Sequence, residues 1–230
     1  MPHTAASDPD VLATLKARVR ALERGGAQAR SAPVLPTGYR VLDDHLPGGG
    51  LDGAALHALH GGAPALAFLA GLVTRALDQH AGPVLWAAPE GRARGLYGPG
   101  LARLGLPTER ALVVAGRDNT DVLWALEEGL NSGAVAAVAG EPKSADRVAA
   151  RRLQLAAEKA GRPAFLLGTD GDAPATARTR WRVEAAPEGA WRVHLERCRD
   201  GRPATWTLEA AREQAPAPVA SADVPLRRAG

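Results

Sequence analysis

The chain has 230 residues, 46% of them apolar, and a formal net charge of +3, enough apolar material for one ordinary domain with a buried core plus tails. No apolar run reaches the ~20 residues that span a bilayer, and the N-terminus lacks a signal-peptide pattern, so no membrane span is expected and the cytoplasm is the expected compartment. A single cysteine, Cys198, excludes an internal disulfide and an all-cysteine metal site.

In chain order, the first predicted element is a helix over Asp8–Arg24. Leu12, Leu15, Val19 and Leu22 recur at steps of three and four, a narrow apolar seam, and Gly25-Gly26 stops it. So short a seam is not stable alone, which makes it a candidate docking helix, either for its own domain or for another protein, including self-association. A polar Gly/Ala/Pro linker follows, so residues 1–35 are expected to be an N-terminal helix and linker.

From 36 to 211 a core domain is expected. Ala55–Leu59, Pro83–Ala88, Ala111–Ala115, Ala134–Ala139 and Ala164–Leu167 are short apolar runs of the kind that form strands buried on both faces. Between them Ala65–His80, Gly91–Leu104, Thr120–Leu130 and Lys143–Ala160 have helical length and period. In the first, Leu66, Leu69, Val73 and Leu77 form one face; in the last, Val148, Leu153 and Leu155 are expected to face apolar surroundings while Arg147, Arg151 and Arg152 stay wet. This alternation predicts an α/β fold, doubly wound around a mainly parallel central sheet. The ending differs: Thr179–Ala185, Ala190–Arg197 and Ala204–Leu208 alternate in polarity and are joined by Pro187-Glu188-Gly189 and Asp200-Gly201-Arg202, the signature of a C-terminal antiparallel meander. The Pro/Ala-rich tail, 212–230, has too little to bury and is expected to be disordered.

Landmarks within this pattern carry a resemblance. Pro36-Thr37-Gly38-Tyr39-Arg40-Val41-Leu42-Asp43 and Leu46-Pro47-Gly48-Gly49-Gly50-Leu51 resemble the entry to the RecA/RadA recombinase core. Val84-Leu85-Trp86-Ala87-Ala88-Pro89-Glu90 resembles its strand ending in the catalytic glutamate, and Leu96-Tyr97 through Leu101-Ala102-Arg103-Leu104-Gly105-Leu106 its next helix and exit. Ser132-Gly133-Ala134-Val135 opens the Walker B strand, whose acidic slot falls on Glu141. With the Trp191-Arg192-Val193 to Trp206 ending, the chain resembles the ImuA family of RecA-like accessory proteins over about residues 10–208. The resemblance implies a RecA-like three-layer fold and a role in SOS-induced, error-prone translesion DNA synthesis. The implied partners are a Y-family-like polymerase homologue and an error-prone replicative-type DNA polymerase, with RecA and DNA as further candidates.

The phosphate-binding loop of such a fold needs G-x-x-x-x-G-K-S/T, whose backbone N–H groups cradle phosphates while Lys neutralises them and Ser/Thr holds magnesium. Here the loop begins at Gly61-Gly62, and its Gly, Lys and Ser/Thr slots hold Leu66, Ala67 and Phe68, with Pro64 shortening it. A degenerate nucleotide loop, no enzyme activity, no cofactor and no metal are therefore expected. An active RecA/RadA-type DNA-dependent ATPase is the alternative, but no Lys occurs between Lys16 and Lys143. A stand-alone DNA-binding repair module is a third reading.

The remaining residues allow a functional and a plain reading. Glu90 is expected to be a solvated strand-end residue and Glu141, followed at once by Pro142, a turn residue. His57 and His60, three apart on a strand, point to opposite faces. Trp86 and Trp124 are expected in the core. In the meander, Trp181, Val183, Trp191, Val193 and Leu195 share parity and form a buried face. Residues 143–202 carry thirteen Lys/Arg against eight Asp/Glu, and Arg178, Arg180, Arg182 and Arg192 fall on the opposite parity. They are the candidate partner or DNA surface, with a purely solvated face as the alternative.

Overall fold

Parallel strands with two apolar faces need helices on both sides, and the chain supplies them. The structure, a computed structural model, describes residues 33–93, 96, 98–168 and 176–209. The seam of Leu12, Leu15, Val19 and Leu22 and the 212–230 tail lie outside the described residues.

The strands are β1 (Val34–Leu35), β2 (Leu51–Asp52), β3 (Leu56–His60), β4 (Val84–Pro89), β5 (Ala111–Gly116), β6 (Ala137–Gly140), β7 (Ala164–Gly168), β8 (Thr179–Ala185), β9 (Ala190–Cys198) and β10 (Ala204–Glu209). The α-helices are α1 (Arg40–Asp43), α2 (Ala63–Gln79), α3 (Glu90–Ala93), α4 (Gly98–Arg103), α5 (Asn119–Ser132) and α6 (Arg147–Ala160). The main sheet has eight strands in the order β10-β9-β8-β3-β7-β6-β4-β5. It is parallel from β8 through β5 and antiparallel across β8-β9-β10. This is the expected three-layer, RecA-like α/β fold with its closing meander. β1 and β2 pair antiparallel as a separate two-stranded sheet, which two-residue strands do not announce in sequence.

Alternation along the strands sorts the core into two clusters, one per sheet face. Leu59, Trp86, Phe165, Trp181 and Val183 pack with Phe68, Leu69, Leu72 and Val73 of α2. Leu56, Ala58, Leu85, Val138 and Leu166 pack with Val122 and Leu126 of α5 and Leu153 and Ala157 of α6. Each buried Val, Leu or Phe among them contributes about 1.5–3 kcal/mol.

Caps set the helix ends. The Asp118 carboxylate accepts from Asp121 N (2.9 Å) and that of Asp146 from Ala149 N (2.7 Å), while Gly133 and Gly161 close the two helices in the left-handed conformation. The last helix therefore starts at Arg147 rather than Lys143. The helix expected over Gly91–Leu104 is described as two short pieces, α3 and α4, and Pro99 stands in the first turn of the second, where its missing N–H costs nothing. Ala111–Ala115 forms a strand, but at the sheet edge, so Leu112 and Val113 are exposed rather than buried on both faces. In α6 the core stripe is Ala150, Leu153, Gln154 and Ala157; Val148 and Leu155 lie outside it and are exposed, as is Trp124 on α5, against expectation. No helix among the described residues is long and apolar enough to cross a membrane.

Candidate functional site

The C-terminal ends of the parallel strands meet at the glycine loop. β3 ends at His60 and α2 begins at Ala63, leaving only Gly61 and Gly62 between them, with Pro64 in the first helical turn. Gly61 has φ 122°, and a Cβ there would collide with the Val183 carbonyl oxygen of β8. The close approach of the neighbouring strand accounts for that glycine. Gly62, exposed and with φ 70°, leads into the helix through a positive-φ conformation that L side chains rarely adopt.

The three slots downstream all lie within α2. Leu66 and Ala67 are half-buried against the core cluster. Phe68 is buried, its ring 6.1 Å from Tyr39, 6.1 Å from Trp181 and 6.2 Å from Trp191. An aromatic core residue occupies the position where a magnesium-binding hydroxyl would stand. Beside the loop is a shallow cavity of about 460 Å³ lined by Gly61, Gly62, Leu66, Arg92, Leu167 and Gly168.

Glu90 is the exposed first residue of α3. Glu141, one residue beyond β6, lies outside helix and strand, as a turn residue would, but it is buried. Its carboxylate is only 6% exposed and both oxygens are occupied: the Trp86 indole N–H donates to Oε1 (3.1 Å) and Arg92 Nε–H to Oε2 (2.8 Å). Its own N–H donates to Ala87 O (2.9 Å), drawing the segment across β4. The carboxylate thus satisfies a buried indole, a role that spacing does not reveal.

His57 and His60 point to opposite faces, as their spacing requires. His57 is fully buried. Trp181 Nε1–H donates to Thr179 Oγ1 (2.7 Å), the Thr179 hydroxyl meets His57 Nδ1 (2.8 Å), and His57 Nε2 meets Asp52 O (2.9 Å). A carbonyl only accepts, so Nε2 carries the proton and Nδ1 accepts from Thr179, which leaves a neutral ring. Burial drives this imidazole's pKa down to about 4, outweighing the Asp52 contacts that raise it. His60 Nε2–H donates to Glu196 Oε2 (3.0 Å). No group of three His, Cys, Asp or Glu among the described residues is placed to hold a metal.

On the meander, Trp181, Val183, Trp191, Val193 and Leu195 form the buried face. Arg178, Arg180, Arg182 and, on β9, Arg192 share the opposite one, with Arg192 directly across from Glu184. Carboxylates are interleaved among them. Arg178 bridges Asp200 (2.8 Å) and Asp52 (3.5 Å), Arg180 pairs with Glu196 (2.8 Å), and Arg182 pairs with Glu184 (2.8 Å) and Glu196 (3.4 Å). Glu196 is the hub. Burial pushes its carboxyl up, but the His60 hydrogen bond and the charges of His60, Arg180 and Arg182 hold it below its ordinary range. A second cavity of about 650 Å³ opens between this cluster and the loop, lined by His60, Gly61, Pro64, Arg180, Arg182 and Glu196 among others. Glu196 was overlooked in sequence, although its parity with Arg192 and His194 places it among the arginines.

No family model matches the chain. It is 38% identical over 208 residues to Protein ImuA of Caulobacter vibrioides (strain NA1000 / CB15N), an alignment covering 77% of this chain and 84% of that protein. The same values hold for Protein ImuA of Caulobacter vibrioides (strain ATCC 19089 / CIP 103742 / CB 15).

Proposed function

Because the chain belongs to the ImuA family, we propose that it is a non-catalytic, RecA-like accessory protein of SOS-induced, error-prone translesion DNA synthesis. It acts through contacts with a Y-family-like polymerase homologue and an error-prone replicative-type DNA polymerase, with RecA and DNA as further binding candidates. The observation that carries the non-catalytic reading is Phe68: the slot that should hold a metal-binding hydroxyl is packed among Tyr39, Trp181 and Trp191. The two-residue loop supports it, being too short to wrap a triphosphate. So does Glu141, whose oxygens are committed to Trp86 and Arg92. The face carrying Arg178, Arg180, Arg182 and Arg192 is the candidate contact surface, since guanidinium forks suit carboxylate and phosphate alike.

Deleting the gene and scoring damage-induced mutation tests the reading. Induced mutation should disappear while spontaneous mutation stays at its basal frequency, and the tagged protein should co-purify with the Y-family-like partner. Unchanged induced mutagenesis in the deletion strain would sink the proposal.

A further inference from the structure

Three of the large apolar side chains most exposed to solvent stand on the outer surface of one helix pair: Trp124 (60%) on α5, and Val148 (68%) and Leu155 (46%) on α6. Helical spacing puts them together. Trp124 and Glu127 share a ridge of α5 at i, i+3, while Val148, Arg152 and Leu155 share a ridge of α6 at i, i+4, i+7. The Arg152–Glu127 ion pair (2.6 Å) joins the two ridges. Between the helices is a groove of about 310 Å³, lined by Thr120, Leu123, Trp124, Glu127, Ala149 and Leu153 among others. That volume is at the small end of the roughly 300–1,000 Å³ range of binding pockets. Its end is fixed by Asn119, whose side chain donates to Ser144 O (2.8 Å) and accepts from Lys143 N (2.8 Å).

We propose that this α5–α6 face is a docking site for an amphipathic helix of a protein partner, one with an apolar stripe flanked by Asp and Glu. Charge complementarity selects this occupant. Arg147 and Arg151 are exposed beside Val148 and Leu155 and form no ion pair with any described residue, and Lys143 and Lys159 extend the same basic margin. Arg152 is already neutralised by Glu127. Val148 and Leu155 are seven residues apart, about 10 Å along the axis, which matches two turns of a partner helix. Trp124 is the type of residue that dominates such interfaces. Nucleic acid fits less well: bases stack on aromatic rings, and the aliphatic Val148 and Leu155 offer no ring to stack on. This surface lies apart from the glycine loop, and the proposal holds whether or not the translesion reading does.

The test pans the full-length protein against a phage-displayed library of random 16-residue peptides, with soluble W124A/R151E protein as competitor. Recovered peptides should carry Asp or Glu beside apolar residues spaced i, i+3/i+4, i+7. Their synthetic versions should bind W124A and R151E about tenfold or more weakly than the parent, and both variants should melt like the parent because the positions are exposed. Recovery of no peptide, or of peptides whose affinity survives W124A and R151E, would overturn the proposal. Loss of dT20 binding in R147E/R151E, with no peptide recovered, would mark the face as a nucleic-acid site instead. Abolition of self-association by W124A, seen by sedimentation, would assign it to a second copy of this chain.

Discussion

Arg92 Nε lies 2.8 Å from Glu141 Oε2, closing one side of a carboxylate whose other oxygen accepts the Trp86 indole N–H. Arg92 is largely exposed and Trp86 is buried, so the two arms differ in worth: water can replace the guanidinium but cannot reach the indole. Glu141→Ala should therefore destabilise the fold by about 1–3 kcal/mol in urea unfolding, chiefly through the orphaned indole. Arg92→Ala should cost less than about 1 kcal/mol, and Glu141→Gln, which keeps an acceptor, should fall between. Equal costs for Arg92→Ala and Glu141→Ala would contradict this division.

His57 makes stability depend on pH. Its folded pKa, about 4, lies below the ordinary 6.5, so between those values the unfolded chain binds a proton that the folded protein excludes. The contribution is complete above pH 6.5 and declines as pH falls toward 4, at a cost on the order of 3 kcal/mol by pH 4. His80, also lowered by burial and by the charge of Arg162, adds in the same direction. NMR titration should find one imidazole still neutral at pH 5, and His57→Gln should flatten the acid limb of the stability profile. If every histidine titrates between pH 6 and 7, the neutral hydrogen-bond chain through Thr179 and Trp181 does not exist.

Magnesium-ATP should neither bind measurably in calorimetry nor raise the melting temperature, since a ligand selective for the native state would stabilise it in proportion to its saturation. Writing the signature back as Leu66→Gly, Ala67→Lys, Phe68→Thr should fail as well. Phe68 alone anchors contacts to Tyr39, Trp181 and Trp191, and large-to-small changes of a core Phe cost about 3–5 kcal/mol. A stable triple variant that hydrolyses ATP would show that the site needs only its side chains restored.

The arginine face requires a choice of probe. Arg180→Glu/Arg182→Glu would set new carboxylates against Glu196 and Glu184, and a loss of about 1–2 kcal/mol is expected, above the ~0.5 kcal/mol usual for exposed sites. Impaired partner binding in that variant would confuse surface with fold. Arg192→Ala is cleaner, because Arg192 is exposed and its removal should leave the melt within about 0.5 kcal/mol of the parent. Co-purification with the Y-family-like partner and DNA binding across salt concentrations are the readouts. If neither changes, Arg192 belongs to a merely solvated surface.

Much of the architecture was legible in the chain because it depends on local repetition. Period-2 alternation placed Trp181, Val183, Trp191, Val193 and Leu195 on the buried side of the meander, and Thr179–Ala185 was bounded to the residue. Continuous apolar runs marked the inner strands, and the missing Lys and Ser/Thr at positions 67 and 68 could be read by counting. What a residue meets across the sheet could not. Strand order places β5 at an edge, which exposes Leu112 and Val113 in a run that looks identical to an inner strand. Packing angle decides that Ala150, Leu153 and Ala157 face the sheet while Val148, Leu155 and Trp124 face solvent. Long-range pairing decides that Glu141 serves Trp86, 55 positions earlier, and that Glu196 serves His60, 136 positions earlier. Local pattern fixes which faces a segment has; only the tertiary contacts determine what each face is set against, because burial and charge pairing depend on neighbours that the chain brings in from far along its length.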